Sequence, residues 1–185
     1  MYAQPYWILT CGILIPAMLY ASWIDYKERR VPNWLNAAIA VAGITVQAVF
    51  FGWSGLSAAL LGMLVGFGVL ILPWMMHGMG AGDVKLMAAI GAWFGPWMTL
   101  AAFALGAAFG GVIAVIMILA SGKLWLAYAN MATIMNKMSR PDTIFSEYGS
   151  AKSFGETSAL LPYGVPLTMG SILLLIGHTL NWWAL

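Results

Sequence analysis

Eight basic residues are all that this chain carries, and they gather at alternate connections between its apolar runs. The runs are roughly 6–24, 34–51, 56–76, 84–95, 97–121 and 160–183. A helix needs about 20 apolar residues to cross a bilayer. Six spans put Lys27, Arg29, Arg30, Lys85, Lys123, Lys137, Arg140 and Lys152 on one face. Basic residues favour the cytoplasmic side, so that face is cytoplasmic and both termini are extracytoplasmic. A five- or seven-span reading breaks the segregation. The fold class expected is therefore an all-α membrane protein, a six-transmembrane-helix bundle.

Composition agrees. Of 185 residues, 62% are hydrophobic and 8% charged, where a soluble domain carries about a quarter charged. Such a chain cannot cover itself with polar surface, and its first partner is the lipid bilayer. One integral-membrane domain, 1–185, is expected. Residues 1–6 hold no basic residue ahead of the first apolar run, unlike a cleaved signal peptide, so span one is expected to remain. A net charge of +2 argues against a nucleic-acid partner. The lone Cys11 and the distant His77 and His178 offer no Cys–His metal site, and no cofactor is expected. Aromatic residues form two belts: Trp7, Trp53, Trp93, Trp97, Trp182 and Trp183 at outer ends, and Trp23, Tyr26, Trp34, Trp74, Trp125 and Tyr163 at inner ends.

Gly52-Trp53-Ser54-Gly55 and Gly95-Pro96 read as turns between adjacent spans, and Pro32-Asn33 as the start of span two. Span four is short, about 18 Å of helix against a core of about 30 Å. Either Asp83 is set below the cytoplasmic surface or the Gly95-Pro96 turn is set below the outer one. The one extended polar stretch is a cytoplasmic loop at about 122–159. Its early part carries an apolar stripe, Leu124, Tyr128, Met131, Met135 and Met138, at helical spacing. That helix either lies in the membrane interface or packs on the bundle.

Asp25 and Asp83 are the two acids that border apolar spans. Carboxylates at membrane depth are costly and mark function. Both lie at cytoplasmic ends, one on span one and one on span four. If those spans pack together, the pair shares a proton, one acid serving as base on a water and the other as proton donor. Helix polarity predicts that Asp25, at a helix C-terminus, more often holds the proton, and that Asp83, at an N-terminus, is the anion. Gly80 and Gly82 permit close backbone approach beside Asp83, though an ordinary turn with Asp83 as helix cap is the plain alternative. Lys85 either steers the local field or snorkels to the interface. Pro162-Tyr163-Gly164-Val165-Pro166 breaks the start of span six and shapes its cytoplasmic end. Glu28, Asp142, Glu147 and Glu156 read as solvated loop charges.

Three of these stretches resemble one family. Gly80-Ala81-Gly82-Asp83-Val84-Lys85-Leu86 is similar to the GxGD motif of the type IV prepilin peptidases. Asp25 through Asn33 resembles their first aspartate and the Arg-x-Pro-Asn stretch behind it. Leu161-Pro162-Tyr163-Gly164-Val165-Pro166 resembles their last-span motif. The resemblance implies an intramembrane aspartic endopeptidase with Asp25 and Asp83 as catalytic pair. Gly80, Gly82, Lys85, Pro162 and Gly164 would shape the site. The substrate implied is a prepilin-like protein, cut at its short basic leader on the cytoplasmic face of a prokaryotic inner membrane. The short form looks most like the peptidases of tight-adherence (Flp) pilus systems, the TadV/CpaA type. Larger bacterial members carry an N-terminal domain with cysteine pairs and also N-methylate the product. With Cys11 alone, methyl transfer is not expected here.

Two other classes stay open on the residues. A proton-coupled small transporter would use the aspartates as a relay, but would tend to place them near mid-membrane with a path to both faces. A non-catalytic assembly subunit would tolerate Asn at either position.

Overall fold

The computed structural model describes residues 3–28, 30–75, 80–122 and 163–180. The 124–138 stripe and the rest of the 122–159 loop beyond Gly122, Arg29, His77, Lys123, Lys137, Arg140, Lys152, Pro162, Trp125, Trp182 and Trp183 lie outside these residues. Everything regular among the described residues is helical: α1 (Ala3–Glu28), α2 (Asn33–Met75), α3 (Ala81–Ser121) and α4 (Gly164–Thr179). Three of the helices are long and apolar enough to cross a membrane, and α4 is a shorter apolar helix. The chain divides into two units. One holds residues 1–110 and 162–185, and the other 111–161, whose described part is the last turns of α3.

The length of α2 is itself an argument. Its 43 residues would make a straight rod of about 65 Å, twice the hydrocarbon thickness. The helix breaks at Gly52, with φ 61° and ψ −136°, a conformation closed to other residues. Past the break the chain folds back: a Cβ on Gly55 would collide with the carbonyl of Gln47. In α3, of 41 residues, the break falls at Gly95, φ 71° and ψ 178°, next to Pro96. Both breaks occur at the turns expected from the Gly-Trp-Ser-Gly and Gly-Pro signals.

Small residues let backbones touch across the bundle, as membrane helices require. A Cβ on Gly91 would meet the backbone of Gly62, and one on Gly66 the backbone of Met87. Gly106 of α3 similarly faces Leu167 of α4, with 3.1 Å between a would-be Cβ and the Leu167 Cα. Around these contacts pack Leu14, Met18, Leu70, Met87, Ile90 and Leu174, all essentially inaccessible.

Trp93 departs from the expected belt. It is fully buried, and its Nε1 donates to the Ile39 carbonyl at 2.8 Å. Its own carbonyl accepts from Gln47 Nε2 at 2.9 Å and from the Tyr6 hydroxyl. Trp93 therefore joins α1, α2 and α3 in the core, because an indole on the inner face of a tightly packed helix finds a carbonyl rather than an interface. Trp53 and Trp97, by contrast, are more than three-quarters exposed. Trp23, Trp34 and Trp74 are also exposed, and Lys27 Nζ lies 4.6 Å from the Trp23 ring centre.

Candidate active site

Asp25 and Asp83 are both buried, at 4% and 6% exposure. Asp25 sits three residues before the end of α1 and Asp83 in the first turn of α3. The two carboxyls lie within electrostatic reach of each other. Elements distant in sequence have thus brought together the pair that the pattern singled out.

Asp83 does not cap its helix. Since α3 begins at Ala81, Asp83 is its third residue and reaches back to the Gly80 backbone, the reciprocal half of a capping box. Its amide in turn donates to the Gly80 carbonyl at 3.2 Å. Its Oδ1 is buried and has no hydrogen-bond partner among the described residues.

Asp25 has a different setting. Its Oδ2 accepts the Gly164 N–H at 3.0 Å. That N–H is one of the first amides of α4, which intrahelical bonding leaves without an acceptor. So the carboxylate at the C-terminal end of α1 also stands at the N-terminal end of α4, where an anion is favoured. Helix polarity read from α1 alone omits this second helix.

The glycines separate into distinct roles. A Cβ on Gly164 would sit 2.7 Å from Asp25 Oδ2, too close for any side chain. One on Gly82 would meet the Val31 nitrogen at 3.0 Å, so the segment after α1 passes directly over the GxGD turn. Asn36 also holds that turn, its Nδ2 donating to the Gly82 carbonyl at 3.2 Å. Gly80 is looser: among the described residues its would-be Cβ comes nearest to Asp83 Oδ2, at 3.4 Å, and then to the Gly82 nitrogen, at 3.9 Å. Lys85 bridges two helix starts. Its Nζ donates to Asn33 Oδ1 at 2.8 Å, tying the start of α3 to the start of α2. Pro162 lies outside the described residues, and Tyr163 beside it is within electrostatic reach of Asp83.

A cleft of about 730 Å³ opens next to this site, lined by Tyr20, Glu28, Pro32, Trp34, Gly82 and Lys85 among others. Glu28 pairs with Arg30 at 3.2 Å, both exposed, which suits a solvated surface pair of little energetic weight. Among the described residues no group of three His, Cys, Asp or Glu gathers in a way that could hold a metal ion.

Three contributors were not singled out from sequence: Asn36, Ser22 and Thr168. Ser22 Oγ lies 2.6 Å from Thr168 Oγ1 and 3.2 Å from the Gly164 carbonyl. The spacing of Ser22 and Asp25, three apart on one helix face, was the one available hint. Nothing in sequence pointed to their partners on α4.

Residues 12–115, more than half of the chain and including both aspartates, match the type IV leader peptidase family. Curated relatives include the prepilin leader peptidase/N-methyltransferase of Escherichia coli (strain K12), 35% identical over 102 residues, 51% of this chain and 44% of that protein. Its namesake in Burkholderia pseudomallei (strain 1026b) is 34% identical over 108 residues, covering 52% of this chain and 35% of the relative. The Neisseria gonorrhoeae protein of the same name is 29% identical over 125 residues, or 63% and 43% of the two chains. This chain spans less than half the length of each of these relatives. No solved structure matches it significantly. Two buried carboxyls on apolar helices, the GxGD turn and a profile match over most of α1 to α3 lead to one assignment: the chain belongs to the type IV leader peptidase family.

Proposed function

We propose that this protein is an intramembrane aspartic endopeptidase that removes the short basic leader from prepilin-like precursors, Flp-type pilins among them. The observation that carries the reading is the convergence of Asp25 and Asp83, each buried, each held by a backbone group and within electrostatic reach of the other. Two such carboxyls share one proton and can work on a water without a metal.

In this reading the hydrogen bonding supports one division of roles. The Gly164 N–H on Asp25 Oδ2 supports the anion there, while the buried Asp83 Oδ1, without a hydrogen-bond partner among the described residues, supports the acid. The roles expected from α1 and α3 polarity are thereby reversed. Asp25 takes a proton from water as the water attacks the scissile carbonyl. Asp83 gives its proton to the carbonyl oxygen. The proton gathered by Asp25 then goes to the leaving amine as the C–N bond breaks, and one hydroxyl proton of the collapsing gem-diol returns to Asp83.

The membrane arrangement belongs to the same proposal. The breaks at Gly52 and Gly95 turn four helices into six spans, with both termini outside and the aspartates at the cytoplasmic face of the inner membrane. A leader would be cut where the substrate's hydrophobic helix enters the bilayer. The relatives' names also include N-methyltransferase, and the present reading assigns these residues the peptidase half alone.

The test uses the purified protein in detergent with a peptide joining a basic leader to the start of an apolar helix. A single cut at the leader boundary, unaffected by excess chelator, is expected. An intact peptide, or cleavage that the chelator abolishes, contradicts the reading.

A further inference from the structure

We infer that Ser22 and Thr168 are positioning residues for the reaction, forming a hydroxyl latch that holds the Gly164 N–H against Asp25. The inference rests on the peptidase reading for its chemistry, though the latch itself can be observed without catalysis.

The geometry is compact. Ser22 lies one turn before Asp25 on the face of α1 that packs against α4. Its Oγ is 2.6 Å from Thr168 Oγ1 and 3.2 Å from the Gly164 carbonyl. Thr168, buried at 3% exposure, also reaches the Met18 carbonyl, at 3.4 Å. Each hydroxyl has one proton. Either Thr168 donates to Ser22 and Ser22 to the Gly164 carbonyl, or Ser22 donates to Thr168 and Thr168 to the Met18 carbonyl. In both patterns one hydroxyl bonds the other across the two helices, and a backbone carbonyl takes the remaining proton.

In the first pattern Gly164 is held at two points. Its N–H meets Asp25 and its carbonyl faces Ser22, both from the same side of α1. The absence of a Cβ, which would lie 2.7 Å from the carboxylate, allows the approach. The hydroxyl pair then sets how close it is. Without the latch, the first turn of α4 can withdraw from Asp25 while the remainder of α4 stays packed on α1 and α3 through Leu174, Leu175 and Gly170. A carboxylate that loses this donor is less firmly aimed at the water, and displacements of this size cost rate rather than substrate binding.

The test compares the full-length parent with Thr168→Val, Thr168→Ser and Ser22→Ala in detergent. For cleavage of the leader peptide, Thr168→Val and Ser22→Ala should lower kcat about tenfold or more with KM within about twofold, and Thr168→Ser should restore it. Separately, amide hydrogen exchange of the segment at 163–168 should speed up about fivefold in Thr168→Val and Ser22→Ala, the loss of one hydrogen bond, and return in Thr168→Ser. Parent-like kcat and exchange in both disrupted variants overturn the latch. A KM effect without a kcat effect also overturns it, by making the pair part of substrate binding. Should Thr168→Val not fold, Ser22→Ala carries both readouts. A parent that cuts no peptide while the exchange behaves as expected removes the peptidase reading and leaves the latch standing.

Discussion

At the scale of single residues, the glycines give the sharpest expectations, because their surroundings differ. Gly164→Ala drives a methyl to 2.7 Å from Asp25 Oδ2, so cleavage should fall about a hundredfold while the apolar packing of α4 is retained. Gly80→Ala places its methyl 3.4 Å from Asp83 Oδ2, an ordinary contact, and should keep activity within a few-fold of the parent. Parallel kinetics on the two variants check the contrast. Equal losses would mean that the GxGD turn is as tightly closed as the α4 terminus. Sequence pattern alone treated Gly80, Gly82 and Gly164 alike as shaping residues. Their separation required knowing what lies opposite each one, which depends on the tertiary approach of Val31 and Asp25.

At the scale of helices, the breaks in α2 and α3 were legible before any coordinates. Gly52 and Gly95 stood in turn-forming dipeptides and tetrapeptides midway along apolar stretches too long for one crossing. Both adopt positive φ. Among the described residues nothing lies within 4 Å of a would-be Cβ on Gly52, so Gly52→Ala isolates the backbone strain. It should cost about 1–3 kcal/mol and lower the melting temperature in detergent by several degrees. An unchanged melting temperature would show that the break relaxes at no cost. Trp93 was the misreading at this scale. Position near a helix end suggested an interfacial anchor, but the inward face of α3 takes the indole into the core. Trp93→Phe removes the donor to the Ile39 carbonyl and should destabilise by about 1–3 kcal/mol in the same assay. The helix-polarity argument for Asp25 likewise drew on α1 alone, because α4 as its neighbour was not visible in the sequence.

For the whole molecule, the segregation of basic residues makes a claim about sidedness that can be checked directly. With Cys11 replaced by Ser, a cysteine at Ser54 should react with a membrane-impermeant thiol reagent in intact cells. One at Glu28 should react only after the membrane is opened. The reverse pattern would invert the topology and move both aspartates to the outer face. Family membership and an all-helical architecture were both readable from motif order and hydropathy, because GxGD, Asp25 and the last-span motif occur in order over nearly the whole chain. What they could not supply was the contact between Gly164 and Asp25, 139 positions apart. The central claim is that Asp25 and Asp83 act together on a peptide bond, and the most direct measurement is mass spectrometry of a leader-bearing peptide incubated with the parent, Asp25→Asn and Asp83→Asn. Two fragments are expected from the parent and at least about a thousandfold less from either variant; fragments from either Asn variant at the parent's rate would contradict a joint role for the two aspartates.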